Sequence, residues 1–301
     1  MGGRAMFYEP MLPEAGEAAF DSGRYLFEPK IDGHRMLLSM INGKVNLYTR
    51  FRTNITERYP ELLRVPVDSP HVVLDGEAAY LNPETGDFER ESVMERLRLL
   101  KPARIRDGAR RLPVRYFVFD ILSYDGEDVR HWPLDERKAL LNDVLEENES
   151  YSRVLSVEGT GKGLFEAVRQ RRLEGLVAKR KDSLYTGGGS DDWLKIINYL
   201  HADVTVVGYR KSQFGWLIHM NGKPAGVLEQ GVPLAVRRSF QTEIRDLIIG
   251  EDRDYVYLKP AVQARIRFLN RYKSGTLRAP EFIRFLPSLA CQPQSQGILT
   301  V

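Results

Sequence analysis

The chain has 301 residues, 43% hydrophobic, 28% charged and 10% aromatic, and its 44 Lys+Arg against 41 Asp+Glu leave a net charge of +3. This length exceeds one ordinary compact domain and the composition supports a sizeable core, so wholesale disorder, collagen and coiled coil are excluded, and two domains or one enlarged domain are expected. No run approaches a membrane span, the start lacks the pattern of a signal peptide, and the single Cys291 excludes an intramolecular disulfide framework and a thiolate zinc site, so a cytoplasmic protein is expected.

From Tyr25 the chain reads as strands with tight turns: YLFEPK, a turn at Ile31–Gly33, HRMLLSMI, the pair Asn42-Gly43, then KVNLYTR. Asn-Gly between alternating runs is a strong hairpin signal. HVVLDGEAAYL predicts a strand pair or a bent strand, and PETG a turn. Helical spacing marks ESVMERLRLL, LDERKALLNDVLEE and KGLFEAVRQRRLEG, the last ending on Gly175 as its C-cap. RYFVFDIL and GLVAKR suit buried strands. Together these predict a mixed α+β domain over residues 1–200.

After Asn198 the pattern changes to ADVTVVGYR, FGWLIHM, Asn221-Gly222 and PAGVLEQG, one helix over LAVRRSFQTEIRDLII, and strands at DYVYLK and ARIRFL. Short strands around one helix predict a small OB-type barrel over 201–290, with a frayed tail at 291–301. Charge is divided the same way: residues 201–301 hold 14 Lys+Arg against 8 Asp+Glu, and residues 1–200 hold 30 against 33. Between Tyr255 and Pro280 stand Lys259, Arg265, Arg267, Arg271, Lys273 and Arg278 with no acidic residue and with aromatic side chains interleaved. Such a stretch fits a phosphate backbone, and also a merely solvated basic face.

The most informative phrase is Glu28-Pro29-Lys30-Ile31-Asp32-Gly33-His34-Arg35. A lysine at a strand end before a Gly turn can be partly desolvated, which frees a neutral amine for nucleophilic attack, although Asp-Gly is also common in ordinary surface turns. With its companions downstream, the phrase resembles the covalent nucleotidyltransferases, most closely the ATP-dependent DNA ligases of the bacterial end-joining type: the ligase module of ligase D and its stand-alone relatives. The motifs keep the family's order over residues 6–285.

The resemblance implies that Lys30 takes AMP through a phosphoramide bond. It assigns Glu28, Arg35, Arg50 in LYTRFR, Glu77 in VVLDGEA, Phe119 in YFVFDIL, Lys179 in EGLVAKR and Lys195 in DDWLKI to ATP. Phe119 would stack on adenine, Lys179 and Lys195 would meet phosphate, and Glu77 and Glu174 would hold the metal, Mg²⁺ or Mn²⁺ by oxygen preference. Fixed cations and a divalent ion suit attack on an α-phosphate. Two departures stand out: Ile197 replaces the second lysine of the usual Lys-x-Lys at Lys195, and LRAPEFIRFL runs on without the usual Asp-Lys pair, leaving Arg278 and Arg284 as candidates for pyrophosphate.

The implied activity is sealing of 5′-phosphate/3′-hydroxyl nicks in duplex DNA by a monomer working in end joining, with a Ku-type end-binding protein as a partner. The alternatives are an RNA ligase, a GTP-using capping guanylyltransferase, or a catalytically weakened DNA-end-binding protein.

Overall fold

The structure, a computed structural model, describes residues 6–287. Cys291 and the expected tail lie outside the described residues. The chain divides into two compact units, residues 1–198 and residues 199–301.

The first unit begins β1 (Met11–Ala15), β2 (Ser22–Pro29), β3 (His34–Ile41), β4 (Lys44–Thr49) and β5 (Val72–Ala79). It continues α1 (Arg90–Arg98), α2 (Pro102–Arg111), β6 (Arg115–Tyr124), β7 (Glu127–Asp128), α3 (Leu134–Val144) and β8 (Tyr151–Arg153). It ends β9 (Val157–Gly159), α4 (Gly161–Gln170), β10 (Gly175–Arg180) and β11 (Gly188–Ile197). One sheet has the order β1-β11-β10-β2-β9, and a second the order β4-β3-β5-β6-β7 with β8 beside β6.

Local sequence explains much of this. Asn42 and Gly43 take φ of 52° and 72°, the left-handed pair that a two-residue turn between β3 and β4 demands. Of the two readings of HVVLDGEAAYL, the strand pair is not formed: it is one strand, β5, with register shifts against β6 at Val73/Leu74 and Asp75/Gly76, held centrally between β3 and β6. The helix KGLFEAVRQRRLEG stops at Gln170, and Arg172 rather than Gly175 adopts the left-handed φ, 54°. Gly175 opens β10, where a Cβ would meet the Ile196 carbonyl oxygen at 2.2 Å. Close strand approach, not helix capping, is therefore what requires glycine there.

The two sheets meet across one apolar cluster. Leu37 and Val73 reach it from the second sheet, Met11 and Trp193 from the first, and Phe119 and Tyr185 complete it. The opposite face of the second sheet packs Met36, Leu38, Leu74 and Val118 with Val93 of α1 and Leu141 of α3. On the first sheet the outward face carries Phe27, Leu176, Ala178 and Ile196 against Leu164 and Phe165 of α4. Arg137 of α3 and Asp120 of β6 are both 0% exposed and form a fork with two 2.8 Å contacts, while Arg137 also bonds the carbonyls of Trp132 and Ser183. Burial of this pair is tolerable because the guanidinium and both carboxylate oxygens find partners.

The second unit is β12 (Leu200–Arg210), β13 (Trp216–Met220), β14 (Lys223–Leu228), α5 (Leu234–Glu243), β15 (Ile248–Glu251), β16 (Tyr255–Phe268) and β17 (Glu281–Phe285). Its antiparallel sheet has the order β14-β13-β12-β16-β15, with β17 also on β16. The expected long helix ends at Glu243, and Ile248 and Ile249 belong to edge strand β15, where β-branched side chains suit the pleat. DYVYLK and ARIRFL are one continuous strand, β16. Pro260 falls in the interruption of pairing between Tyr257 and Val262, where its missing N–H removes no ladder bond. No helix among the described residues is long and apolar enough to cross a membrane.

Candidate active site

Lys30 follows the end of β2 and its backbone N–H donates to the Gly175 carbonyl at 2.8 Å, which ties the nucleophile candidate to the start of β10. The turn Ile31–Gly33 then carries the chain from the first sheet into the second. Gly33 is obligatory there, since a Cβ would lie 2.2 Å from the Ala78 carbonyl oxygen and 3.0 Å from Cγ of Glu77. Its absence lets the Lys30 turn lie directly on the strand that carries Glu77.

Register places the remaining groups. Glu28 lies opposite Val177 and Val177 opposite Lys195, while Lys179 lies opposite Trp193. Directly paired residues share a face, and the period of two adds their i+2 neighbours, so Glu28, Lys179, Trp193, Lys195 and Ile197 share one face of the first sheet. On the second sheet Arg35, Glu77 and Phe117 oppose one another across β3, β5 and β6. These two faces meet at the cluster that contains Phe119 and Trp193.

The Lys30 ammonium pairs with Oε1 of Glu174 at 2.8 Å, with the lysine side chain 27% exposed and the carboxylate 8%. Burial pushes the Glu77 carboxyl up to about 7, against the opposing pull of Lys30, Arg35 and Arg90, and the nearby Glu174 charge adds to the rise. Two carboxylates thus flank one amine, one from each sheet. Among the described residues no cluster of three or more His, Cys, Asp or Glu side chains is arranged to hold a metal. Two carboxylate oxygen donors in reach of surrounding cations fit a hard divalent ion that keeps water and phosphate oxygens as its other ligands.

Arg35 directs its fork inward: Nε and Nη2 contact both oxygens of Asp75 at 2.7 and 2.5 Å, and Nη2 also donates to the Met11 carbonyl. Tyr185 donates to the same carboxylate and accepts the Met11 N–H. Burial would lower the Arg35 pKa, but the Asp75 charge outweighs it and holds the group firmly protonated. Nη1 takes no part in these bonds.

Lys179 is 2% exposed, lies 2.6 Å from Oε2 of Glu28, and has Nζ 4.2 Å from the ring centres of both Phe119 and Trp193. Burial pushes this lysine down to about 8 even though Glu28 opposes the shift. Phe119 is itself 9% exposed, with the Arg35 guanidinium 4.4 Å over its ring. Arg50 is brought to none of these groups; its guanidinium lies 4.6 Å over the exposed ring of Phe51. Lys195 is half-buried on the shared face with no ion pair among the described residues.

Sequence reasoning missed Asp75, Tyr185, Trp193 and Lys138, whose ammonium contacts Oε1 of Glu28. Trp193, two residues before Lys195 on a strand, carried a signal in the period of two; the others are recognisable only by partners distant in the chain.

In the second unit the basic stretch is partly neutralised. Arg265 forks onto Asp203 at 2.7 and 2.8 Å, and Arg267 pairs with Glu281 while covering Tyr199. Arg271 reaches the Met220 sulfur, and Lys273 and Arg278 also have partners. Lys259 is exposed on the face of β16 that carries Tyr257, Arg265 and Arg267, with no carboxylate partner among the described residues.

Where the two sheets meet, a lysine paired with Glu174, a second carboxylate at Glu77 and the cations of Arg35 and Lys179 form a set of side chains suited to a covalent nucleotidyltransferase. Residues 10–196 match the family model of the ATP dependent DNA ligase domain, and the chain belongs to this family. It is 32% identical over 279 residues to the SPbeta prophage-derived DNA ligase-like protein LigB of Bacillus subtilis, covering 92% of this chain and 98% of that one. Against the multifunctional non-homologous end joining protein LigD of Mycolicibacterium smegmatis it is 25% identical over 306 residues, 91% of this chain but 38% of that protein. The structure of mycobacterial DNA ligase D complexed with ATP and MES superposes with a TM-score of 0.54 at 25% identity, covering 92% of this chain and 94% of that chain.

Proposed function

We propose that this ATP-dependent DNA ligase seals 5′-phosphate/3′-hydroxyl nicks in duplex DNA through a lysyl-AMP intermediate on Lys30, in end joining. The observation that carries the reading is the placement of Lys30 between Glu174 and Glu77, from opposite sheets, in a cleft otherwise lined by cations. The Lys30 ammonium first gives a proton to a base, for which Glu174 Oε1 at 2.8 Å is the nearest acceptor. Its Nζ lone pair then forms the P–N bond to the α-phosphorus as the bond to pyrophosphate breaks, and the nitrogen's second proton passes to the departing pyrophosphate. Lys195 and Nη1 of Arg35 are the cations we assign to phosphate and ribose. A divalent ion on Glu77 and Glu174 would draw charge from the phosphate oxygens.

AMP next passes to a 5′-phosphate, and the neighbouring 3′-hydroxyl displaces it. We assign the nucleotide chemistry to the first unit and the grip on duplex backbone to the second, read as an OB-type domain, with Lys259, which has no carboxylate partner among the described residues, and Arg271, Lys273 and Arg278 among its cations. We further propose action as a monomer alongside a Ku-type end-binding protein, a reading supported by the likeness to a non-homologous end joining protein. Nick sealing tests the reading: purified chain with ATP and Mg²⁺ converts a 5′-labelled nicked duplex to the full-length strand, and Lys30→Ala does not. Absence of product at stoichiometric enzyme would defeat it.

A further inference from the structure

The turn that begins at Lys30 is held by strands of both sheets and by a residue that lies outside them. Lys30 donates its backbone N–H to the Gly175 carbonyl, and Gly33 rests on the Ala78 carbonyl oxygen too closely for any side chain. The remaining hold comes from α1. Nη1 of Arg90 donates a hydrogen bond to the Gly33 carbonyl, and the same nitrogen lies 3.7 Å from Oδ1 of the buried Asp32, an ion-pair contact. A single guanidinium group thus meets consecutive residues of the turn.

Arg90 is the first residue of α1, and the helix gives no reason for it. The positive end of the helix dipole disfavours a cation in the first turn, and a side chain 38% exposed could extend into water. It is directed at the turn from a firm base instead. The preceding residue, Glu89, donates its backbone N–H to the Tyr80 carbonyl just past β5 at 3.0 Å, and its carboxylate accepts from the Asn82 amide and the Ser92 hydroxyl, each at 2.6 Å. The end of β5 therefore sets both sides of the turn, through Ala78 against Gly33 and through the support of Glu89 behind Arg90. Burial raises the Glu77 pKa and the Arg90 charge opposes it, so Arg90 also stands near one of the carboxylates of the site.

We propose that Arg90 is a positioning residue for the nucleophile: by bridging the Gly33 carbonyl and the Asp32 carboxylate it holds the turn against β5 and so fixes where Lys30 Nζ stands for attack. This rests on the reading of Lys30 as the residue that takes AMP. A group placed in this way governs the rate of the attack and not the affinity for ATP, because misplacement of a reacting atom by about 1 Å costs on the order of 10²-fold in rate.

The test is Arg90→Met in the full chain, which keeps an apolar stem and removes the donor and the charge. Single-turnover adenylylation from α-labelled ATP is measured against ATP concentration, and sealing of a preformed 5′-adenylylated nick is measured with Mg²⁺ and no ATP, a step in which the lysine is not the attacking group. The maximal rate of adenylylation is expected to fall at least tenfold, while the half-saturating ATP concentration and the sealing rate stay within threefold of the parent. Arg90→Ala decides the matter if Arg90→Met does not fold. A smaller fall in the maximal rate overturns the proposal. So does a larger rise in half-saturating ATP, which would make Arg90 a nucleotide contact, or a parallel loss in sealing of the adenylylated nick, which would mark a general structural effect. The parent separates the two levels: if it takes no AMP on Lys30, the reading of Lys30 falls, whereas a parent labelled on Lys30 beside an equally fast Arg90→Met removes the Arg90 inference alone.

Discussion

Replacing Gly33 by alanine adds a single carbon where the Lys30 turn lies on β5. That carbon would stand 2.2 Å from the Ala78 carbonyl oxygen and 2.9 Å from its carbon, whereas ordinary contact begins at 3.4 Å, so the turn must retreat. The retreat is about 1 Å, and a displacement of that size at a reacting group costs on the order of 10²-fold in rate. Crowding of a packed segment also destabilises by roughly 1–3 kcal/mol, which lowers Tm by a few degrees in a chain of this size. The assay is the rate of label transfer from α-labelled ATP to the protein, with a thermal melt beside it. Gly23→Ala is the control, because nothing lies within 4 Å of a Cβ there. Adenylylation of Gly33→Ala within threefold of the parent would refute the claim that close approach to β5 places Lys30.

Burial pushes His34 down to about 4, with its Nε2 2.7 Å from the Tyr59 hydroxyl. The unfolded chain protonates this group from pH 6.5 downward while the folded chain resists, so its contribution is complete above 6.5 and is lost as pH falls toward 4, by roughly 3 kcal/mol. His34→Gln should flatten urea-derived stability across that window relative to the parent, and an identical pH slope in both contradicts the assignment. Arg137→Met leaves the 0%-exposed Asp120 unpaired and should destabilise by about 3–5 kcal/mol, and adding Asp120→Leu should recover most of it, as read by chemical denaturation; a double variant as unstable as the single one would argue against a charge penalty. Lys259→Ala should reduce the slope of log affinity for nicked duplex against log salt by about one, whereas Arg265→Ala, already neutralised by Asp203, should change it little. Equal slopes for the two variants would remove the distinction between free and paired cations.

The local grammar of the chain was legible. The Asn42-Gly43 hairpin, the strand before Lys30 and the glycine turn after it follow from short-range residue chemistry, and the order of motifs points to the family. Polar α2 was not legible, since PARIRDGARR buries only Ile105 and Gly108 and shows too little apolar stripe. The network behind the site was hidden for a different reason: Arg35 meets Asp75 across 40 positions, Tyr185 meets it across 110, and Ser156 meets Glu28 across 128. Register between strands decides such meetings, and a single sequence does not encode register visibly. Phe119, matched to adenine stacking, proves to be nearly covered by Arg35, Lys179 and Trp193, a crowding that only the meeting of two sheets could reveal.

The central claim is that Lys30 is the residue that carries AMP. Incubation with ATP and Mg²⁺, digestion and peptide mass mapping test it most directly. The account predicts one AMP adduct, on the peptide containing Lys30, lost in Lys30→Ala and reversed by added pyrophosphate. An adduct on Lys179, Lys195 or any other residue, or a protein that stays unmodified while nicks are sealed, would contradict it.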